Sequence, residues 1–581
     1  MKINLRKTTE LPLILKGLEE NAAVFIKVSG RISYKTLIAS SEYMKSGNKR
    51  IHLDISHTFG IDNIPEKCFE NCIDLKMMDL PLKIREIGER AFCASGLNEI
   101  IIPERVVRFY SGCFFECSFL EKVQITGDVF FYEFDYTRKE GPFESCKSLK
   151  EAILPAKLYK IGARMFASCT SLEKINIPEK LSVFEFGAFM NCEELQNIKV
   201  GKDVIIIDDY AFSGCSGDIT VDKENRKYSS YEGMLFDKGQ ERLLSVPAGR
   251  TSVTIPESVK IIEAGAFSDC RKIKEITIPN TVNEIECGAF YGCSQLENIH
   301  LPENIEVIES GLFNGCINLK NINLPEKIKL IEAGVFYNCT KLENILIPES
   351  VEEVGESVFE GCINLEKIEI PKKIKYLRKN FFKGCKKLEK IHIPGSVKKF
   401  GHNIFEACIS LKKVQLSENI RRISKYAFKD CVDIEEINLH EKIRKIRDGA
   451  FLGCINLKNI NLPGKVTRIS NYTFCGCKNL EQISVPENLI TIGKHAFEGC
   501  SSLKEIEIPG HVIRIEKSAF KNCTSLKIVR IPESVRVIEE NAFEGCDSLE
   551  IVYVPSSIKR CGNIKGMVKY NRKKVLIKQS L

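Results

Sequence analysis

Apolar residues in this chain recur in one fixed order, which returns every 23 residues over most of the sequence. The order is L-x-x-I-x-I-P-x-x-V-x-x-I-x-x-x-A-F-x-G-C, and twenty copies of it can be counted. Thirteen consecutive copies end on cysteines with every gap equal to 23, from Cys270 to Cys546. A Phe stands three residues before all twenty copy ends, from Phe69 to Phe543. Self-similarity at such a period predicts stacked turns of backbone, a solenoid, and not a globule around one pocket.

Two local patterns alternate within a copy such as residues 273–295. Residues 276–278 (ITI) alternate apolar and polar positions, which predicts a short half-buried strand. Pro279 ends that strand because proline has no amide hydrogen for the ladder. Residues 282–290 space their apolar side chains by three or four, which predicts a turn of helix or 3₁₀ helix. We therefore predict an α/β repeat solenoid with a parallel β-sheet on the concave side and short helical or 3₁₀ turns on the convex side.

The residue before the repeat cysteine is restricted in kind. Across the thirteen regular copies it is eight times Gly, twice Asn, twice Asp and once Ala. This bias fits a position with positive φ that closes the convex turn. A copy alone should not fold, because each large apolar side chain gains about 1.5 to 3 kcal/mol on burial, whereas ordering the backbone costs about 1 to 2 kcal/mol per residue. Neighbouring copies must therefore stack, with each Phe on the next.

These residues resemble the leucine-rich repeats of the BspA-like family, found in bacterial and protist proteins that are often at cell surfaces. The resemblance covers residues 51–555 and is most specific in an interruption of the repeats. The residues that carry it there are ITVD at 219–222, Asn225, Tyr228, GMLF at 233–236 and VP at 246–247. The resemblance implies a right-handed leucine-rich repeat superhelix that binds other macromolecules.

The pattern divides the chain into five segments. They are an N-terminal cap with small α/β elements (1–63), leucine-rich repeats with an insertion near 127–142 (64–215), a β-hairpin interruption (216–252), thirteen regular repeats (253–555) and a basic C-terminal hairpin cap (556–581). In the interruption, DKG at 237–239 predicts a hairpin turn. Residues 566–570 and 575–577 echo that segment and predict a second hairpin over the last open strand. The aromatic residues at 130–136 are expected to form a packed bulge and not a binding site.

Composition is that of a folded chain, with 28% charged and 44% hydrophobic residues. The formal net charge is +8, and residues 556–581 hold eight Lys and Arg and no acidic residue, so the repeat body is neutral as a whole. A neutral body argues against nucleic-acid binding along its length. For the basic tail we favour protection of the sheet edge over contact with anionic lipid or RNA.

The expected location is cytoplasmic, because we find neither a signal-peptide pattern nor an apolar stretch long enough to span a membrane. Nineteen of the 25 cysteines occupy the inward repeat position, and we interpret them as reduced thiols. Stacked thiols would risk disulfide formation in an oxidising compartment. A cell-surface location, or secretion by a non-classical route, is the alternative that the resemblance implies.

Common catalytic and metal-binding motifs are missing from the sequence, including those of nucleotide-binding loops, serine hydrolases and zinc proteases. The close cysteine pairs are Cys68 with Cys72, Cys113 with Cys117 and Cys475 with Cys477, and none has a second close pair at a zinc-like spacing. We therefore expect no catalytic residue, no metal and no cofactor. The hypothesis is a non-catalytic protein-interaction scaffold, and the alternative is a cell-surface adhesin or host-contact protein.

The candidate binding surface is the concave strand face, formed by the outward residue of each I-x-I triplet and the two residues after each leading Leu. Its central column supplies the predicted partner-binding residues His300, Asn323, Glu369, His392, Gln415, Asn438, Asn461, Glu507, Arg530 and Tyr553. The flanking column from Lys274 to Lys504 largely alternates in sign, which attraction between neighbouring strands alone would explain. A face nearly free of aromatic residues suits a broad polar protein partner, since hot spots usually need Trp, Tyr or Arg. The interruption is the alternative binding site.

Overall fold

The computed structural model describes residues 1–127, 130–131, 140–554, 560–561 and 576–579. The chain separates into two compact units, Met1–Ile273 and Lys274–Leu581. Each unit is a stack of parallel strands with two strand columns, and nearly every repeat gives one strand to each column. The predicted repeat solenoid with a parallel sheet is confirmed.

Helices occur at the start of the first unit. An α-helix at Leu11–Lys16 follows a 3₁₀ turn at Thr8–Glu10, and an α-helix at Tyr34–Ser41 precedes a 3₁₀ turn at Glu42–Met44. The helix at Tyr34–Ser41 begins where the Ser33 hydroxyl accepts a hydrogen bond from the Thr36 amide at 3.2 Å. No helix among the described residues has both the length and the hydropathy to cross a bilayer.

The first strand column comes from the I-x-I segment of each repeat, and its neighbours pair in parallel with few register shifts. In the first unit its strands are Lys2–Leu5, Ala23–Arg31, Arg50–Phe59, Leu75–Asp79, Glu99–Ile102, Lys122–Ile125, Glu151–Ile153, Lys174–Ile175, Ile198–Val200 and Ile219–Val221. In the second unit they are Glu275–Thr277, Asn298–His300, Asn344–Ile345, Lys367–Ile368, Lys390–His392, Lys413–Gln415, Asn459–Asn461, Gln482–Ser484, Glu505–Glu507, Ile528–Arg530, Ile551–Val554 and Leu576–Gln579.

The second strand column consists of two-residue strands, each ending on the apolar residue three positions after the repeat Val. In the first unit they are Asn63–Ile64, Glu86–Ile87, Arg108–Phe109, Phe130–Phe131, Lys160–Ile161, Val183–Phe184, Ile206–Ile207 and Ile261–Ile262. In the second unit they are Glu284–Ile285, Val307–Ile308, Leu330–Ile331, Glu353–Val354, Tyr376–Leu377, Lys399–Phe400, Arg422–Ile423, Lys445–Ile446, Arg468–Ile469, Thr491–Ile492, Arg514–Ile515, Val537–Ile538 and Arg560–Cys561.

The helical turn predicted at residues 282–290 is instead the strand Glu284–Ile285 followed by single hydrogen-bonded turns. The amides of Ala289 and Cys293 donate to carbonyls three residues earlier, at 3.2 Å each. The amide of Phe290 donates to the next repeat, at Leu312, at 3.1 Å. Apolar spacings of three therefore arise from isolated turns, and every second amide links two repeats and does not continue a helix.

The residue before the repeat cysteine has positive φ in all thirteen regular copies, as predicted; examples are Gly292 at 70°, Asn338 at 57° and Ala407 at 60°. A second left-handed residue, four positions earlier, was not predicted. It is Gly288 at 59° in one repeat and Tyr426 at 56° in another. Each regular repeat thus has two residues with positive φ. A right-handed helix needs negative φ at every residue, so these two positions prevent a continuous helix.

The repeat Phe rings form a stacked ladder in the interior of each unit. In the second unit twelve rings, from Phe290 to Phe543, stack with centroids 5.1 to 5.9 Å apart. In the first unit the rings from Phe69 to Phe212 stack at 5.0 to 6.2 Å. The predicted stacking of Phe on Phe is confirmed within both units.

The repeat cysteines lie beside this ladder, and most of their thiols donate to the carbonyl of the preceding repeat's Phe. The Cys408 thiol donates to Phe382 and the Cys431 thiol to Phe405, both at 3.0 Å. Burial raises the pKa of Cys408 well above its usual range. Among the described cysteines, Cys287 is exposed and Cys475 is half-buried, while the other 22 are buried. Ladder thiols such as that of Cys408 are therefore inaccessible and protonated.

Alkylation of the native protein at neutral pH is expected to spare these buried cysteines, because a thiol must reach the surface and ionise before it reacts. Among the 24 cysteines whose side chains are described, modification should be confined to Cys287 and Cys475, whereas denaturation should make all 25 cysteines of the chain reactive. Peptide mass spectrometry after native and denaturing alkylation identifies the cysteines that are modified in each state. Modification of Cys408 in the native protein as fast as that of Cys287 would contradict the buried ladder.

The interruption contains the predicted hairpin and one more strand. Met234–Asp237 pairs antiparallel with Arg242–Ser245 and, on its other side, with Tyr228–Tyr231. Arg242–Ser245 then pairs in parallel with Ile261–Ile262, which returns the chain to the second strand column. The interruption is thus inserted into the stack without ending it.

Two predicted segments fall largely outside the described residues. One is the aromatic insertion near 127–142, of which the strand Phe130–Phe131 pairs with Arg108–Phe109. The other is the C-terminal hairpin, of which Leu576–Gln579 pairs in parallel with Ile551–Val554. That second pairing adds a strand to the end of the first column.

Candidate partner-binding surface

The outward residues of the first strand column form a continuous row across the second unit. In the strand Glu275–Thr277 the middle residue, Ile276, is buried and both neighbours are exposed. Parallel pairing places Thr277 beside His300, and bridges place Asn323 beside His300. Strict alternation along each strand and a constant repeat length therefore align equivalent polar residues.

All ten predicted partner-binding residues belong to this row. His300, Asn323, Glu369, His392, Gln415, Asn438, Asn461, Glu507 and Arg530 are exposed, and Tyr553 is half-buried. The Arg530 guanidinium lies over the Tyr553 ring, 4.7 Å from its centroid. Arg530 and Tyr553, the arginine and the aromatic residue of the row, therefore contact each other.

The structure brings five of the ten residues into one groove and leaves the other five outside it. Glu369, His392, Gln415, Asn438 and Asn461 line an open groove of about 1500 Å³. His300 and Asn323 lie before the groove along the row. Glu507, Arg530 and Tyr553 lie beyond its other end. The row is thus continuous, but its recessed part is limited to five repeats.

A second line of groove residues also belongs to the predicted face, because each is the second residue after a leading Leu or Ile of the repeat. It consists of Lys367, Lys390, Lys413, Glu436 and Asn459, the residues before each buried middle residue. Lys390 pairs directly with Lys413 across neighbouring strands. Period-two alternation turns both neighbours of an inward residue outward. Three adjacent lysines make this side of the groove basic.

The flanking row of alternating charge is occupied by ion pairs between neighbouring repeats. Lys458 lies 2.8 Å from Glu435, and Lys320 lies 3.0 Å from Glu297. The hydrogen bond from Lys458 lowers the pKa of Glu435, and attraction between the charges adds to the shift. These exposed pairs each stabilise the stack little, but they engage the flanking side chains. The central row and the three lysines are the polar groups left for a partner.

The groove is suited to polar contacts, because amides, four carboxylates, an imidazole and ammonium groups line an open recess. Among the described residues, no group of three or more His, Cys, Asp and Glu side chains is arranged to hold a metal ion. Hydrogen bonds and charge pairs spread over five repeats suit a macromolecular surface.

The repeat architecture and its polar row define a repeat protein of the leucine-rich class. A family profile described as "BspA type Leucine rich repeat region (6 copies)" matches residues 36–134, 137–236, 249–364, 329–458 and 444–564. The chain belongs to the BspA-type leucine-rich repeat family. No curated protein matches it.

Several solved structures are similar to this chain. A leucine-rich repeat protein from Bacteroides ovatus is 23% identical, with 83% of this chain and 92% of that chain covered and a TM-score of 0.34. A leucine rich cell surface protein from Faecalibacterium prausnitzii is 24% identical, with 61% and 88% covered and a TM-score of 0.43. A leucine-rich repeat protein from Eubacterium ventriosum is 23% identical, with 68% and 91% covered and a TM-score of 0.42.

Proposed function

We propose that the protein is a non-catalytic scaffold that binds a protein partner through the first-column face of the second unit. The observation that carries this proposal is the groove, in which five predicted residues and three lysines form one polar recess. The neighbouring charges are already paired across repeats, so the groove residues are those available to a partner. A polar face of this kind suits an extended contact of modest affinity.

The proposal is tested by placing a photoreactive amino acid at Gln415 or Asn438 and irradiating the producing cells. We expect one discrete adduct, whose protein component is then purified and titrated against the full chain. Replacing Gln415, Asn438 and Asn461 together by Arg should weaken its binding about tenfold or more, because bulky cations fill the recess.

A matched control replaces Asn280, Asn304 and Asn488 by Arg. These amides are also exposed, but they lie in the turns between the two strand columns. The control should bind within about twofold of the wild type, since it changes the net charge by the same amount without touching the groove. Equal weakening by both triple variants would refute the groove as the binding site. Loss of binding only on substitution of Tyr231, 49% exposed on the interruption, would move the site there.

The second candidate function is that of a cell-surface adhesin or host-contact protein, and it differs in location. The cytoplasmic proposal rests on the number of reduced thiols. The adhesin proposal is compatible with those thiols, because ladder thiols such as that of Cys408 are buried, hydrogen-bonded to a carbonyl and protonated. Such a ladder resists oxidation in either compartment. Protease treatment of intact cells decides the matter: cleavage of the chain supports the adhesin, and full protection supports the cytoplasmic scaffold.

A further inference from the structure

Charge is strongly segregated within the second unit, although the repeat body is neutral as a whole. Residues 371–447 carry 21 Lys and Arg but only 8 Asp and Glu. This excess of thirteen positive charges is larger than the net charge of +8 of the entire chain. An uneven distribution of this size marks a surface for an anionic partner.

The positive charges concentrate on the second strand column and the residues beside it. There Lys398, Lys399, Arg421 and Arg422 are exposed and line a groove of about 870 Å³, which we call the basic groove. It is built from other strands than the polar groove of the first column. Binding at the basic groove can therefore be tested independently of binding at the polar groove.

Parallel register stacks these cations on neighbouring strands. Arg422 pairs with Lys445, and the Arg444 amide donates to the Arg421 carbonyl at 2.9 Å. Adjacent strands lie about 4.8 Å apart, so like charges recur at that interval. Like charges directly opposite each other destabilise a sheet. The stacked cations of the second strand column thus destabilise the folded protein, whereas the alternating charges of the flanking row in the first column attract each other.

The groove cations are not neutralised by the protein. Lys379, Lys398, Lys399, Arg421, Arg422 and Arg447 form no ion pair with any described residue. Arg378, beside the groove, reaches Glu353 only at 3.8 Å. Glu356 is the acidic residue at the groove wall. This groove therefore holds a dense set of cations that are open to an external polyanion.

The shape and composition of the groove favour one class of polyanion. Single-stranded nucleic acid binds through bases stacked on aromatic side chains, and Tyr376 is the exposed ring among the groove residues, already in contact with Arg378 at 5.7 Å. A flat bilayer surface does not follow a recess. A sulfated polysaccharide presents closely spaced oxyanions without requiring aromatic stacking, and Arg binds oxyanions in bidentate fashion.

We propose that the basic groove binds a sulfated polysaccharide, with its sulfate groups held by cations of successive repeats. This ligand is extracellular, so the proposal rests on the cell-surface location of the second candidate function. Arg421 and Arg422 supply paired donors to the sulfates. Lys398 and Lys399 act as point charges one repeat away. The ligand lies along the stacking direction, across the strands.

The proposal is tested with heparin and the full-length chain at about physiological salt, where the condensed counterions that a polyanion releases govern affinity. The triple variant Lys399→Glu, Arg422→Glu, Arg447→Glu should bind heparin about tenfold or more weakly, and its slope of log Kd against log salt should fall by about two to three. All three side chains are exposed, and an unchanged melting curve verifies that the variant is folded. Desulfated heparin should not bind the wild type.

The matched control is Lys157→Glu, Lys180→Glu, Lys199→Glu, which makes the same kind of substitution at three exposed lysines of the first unit. It should bind heparin within about twofold of the wild type. Equal losses in both variants would overturn the proposal, because net charge alone would then explain binding. Tighter binding of a uridine oligonucleotide or of phosphatidylserine vesicles than of heparin would overturn it in favour of RNA or membrane.

Discussion

Replacing Phe405 by Ala is expected to lower the free energy of unfolding by about 3 to 5 kcal/mol. Phe405 is fully buried in the second unit. Its ring stacks between Phe382 at 5.6 Å and Phe428 at 5.4 Å, and Phe400 meets it edge-on at 6.2 Å. Truncation leaves a cavity between the rings of Phe382 and Phe428, because the fixed repeat spacing keeps them from closing the gap. It also removes aromatic contacts worth about 0.5 to 1.5 kcal/mol each. Denaturant unfolding of the full chain measures the loss.

Ile409→Ala is the matched control, because this side chain belongs to the same repeat but is 41% exposed. Ile409→Ala should lower the free energy of unfolding by no more than about 0.5 kcal/mol, as for most surface substitutions. In Phe405→Ala, hydrogen exchange should rise first in the adjoining repeats, since a solenoid repeat contacts only its neighbours. A loss shared equally by both variants, or exchange raised evenly over the chain, would contradict a ladder of local contacts.

The ladder could be predicted because sequence period and structural period coincide. Once Cys270 to Cys546 are in register, equivalent residues must stack, so Phe405 is assigned to the interior without coordinates. The second strand column could not be predicted in the same way. A spacing of three, as between Val282 and Ile285, suits a helical turn as well as a turn followed by a two-residue strand.

The second position with positive φ was harder to recognise from the sequence than the first. Gly and Asn dominate before the repeat cysteine, and that bias reveals a positive φ. Four residues earlier stand Gly288, Tyr426, Tyr472 and His495, all with positive φ. The composition bias is weaker at this position, since eight of the thirteen regular copies have Gly or Asn there and the others have Ser, Tyr or His. Hydrogen bonds between repeats hold these other side chains in a conformation that they disfavour.

The two grooves were predictable to different extents. Alternation along the strand identified the polar row, and the structure adds that Glu435 is engaged by Lys458 whereas Gln415 and Asn438 are not. The basic groove was missed because charge was counted over the whole repeat body. Its cations, such as Lys399 and Arg422, are 23 residues apart in sequence and become neighbours only when the repeats stack.

Asn225→Ala is expected to lower the stability of the first unit by about 3 kcal/mol or more, because it orphans several buried backbone groups. Asn225 is 1% exposed at the start of the interruption. Its side-chain amide donates to the carbonyls of Gly201 at 2.7 Å and Val204 at 3.0 Å. Its side-chain oxygen accepts from the amides of Lys227 and Tyr228, both at 2.8 Å. One side chain thus fastens the inserted strands to the preceding repeat.

The exposed Asp222 in the same turn provides the control. Its carboxylate accepts one hydrogen bond, from the Glu224 amide at 2.9 Å. Asp222→Ala should therefore cost no more than about 1 kcal/mol. Thermal unfolding, with hydrogen exchange of the strand Tyr228–Tyr231 as a local readout, distinguishes the two variants. Comparable losses would show that the four hydrogen bonds of Asn225 do not anchor the interruption.

Asn225→Asp separates the loss of hydrogen bonds from the loss of volume, because Asp has the same shape. Its carboxylate would face the carbonyl oxygens of Gly201 and Val204 in a buried site, so its folded pKa should lie above the unfolded value of about 3.9. A raised folded pKa means that the neutral form is favoured on folding. The variant should therefore approach the wild type most closely near pH 4 and lose stability relative to it as the pH rises towards 7. A stability difference that does not change with pH would mean that residue 225 is hydrated, and the packing of the interruption against the repeat would have to be revised.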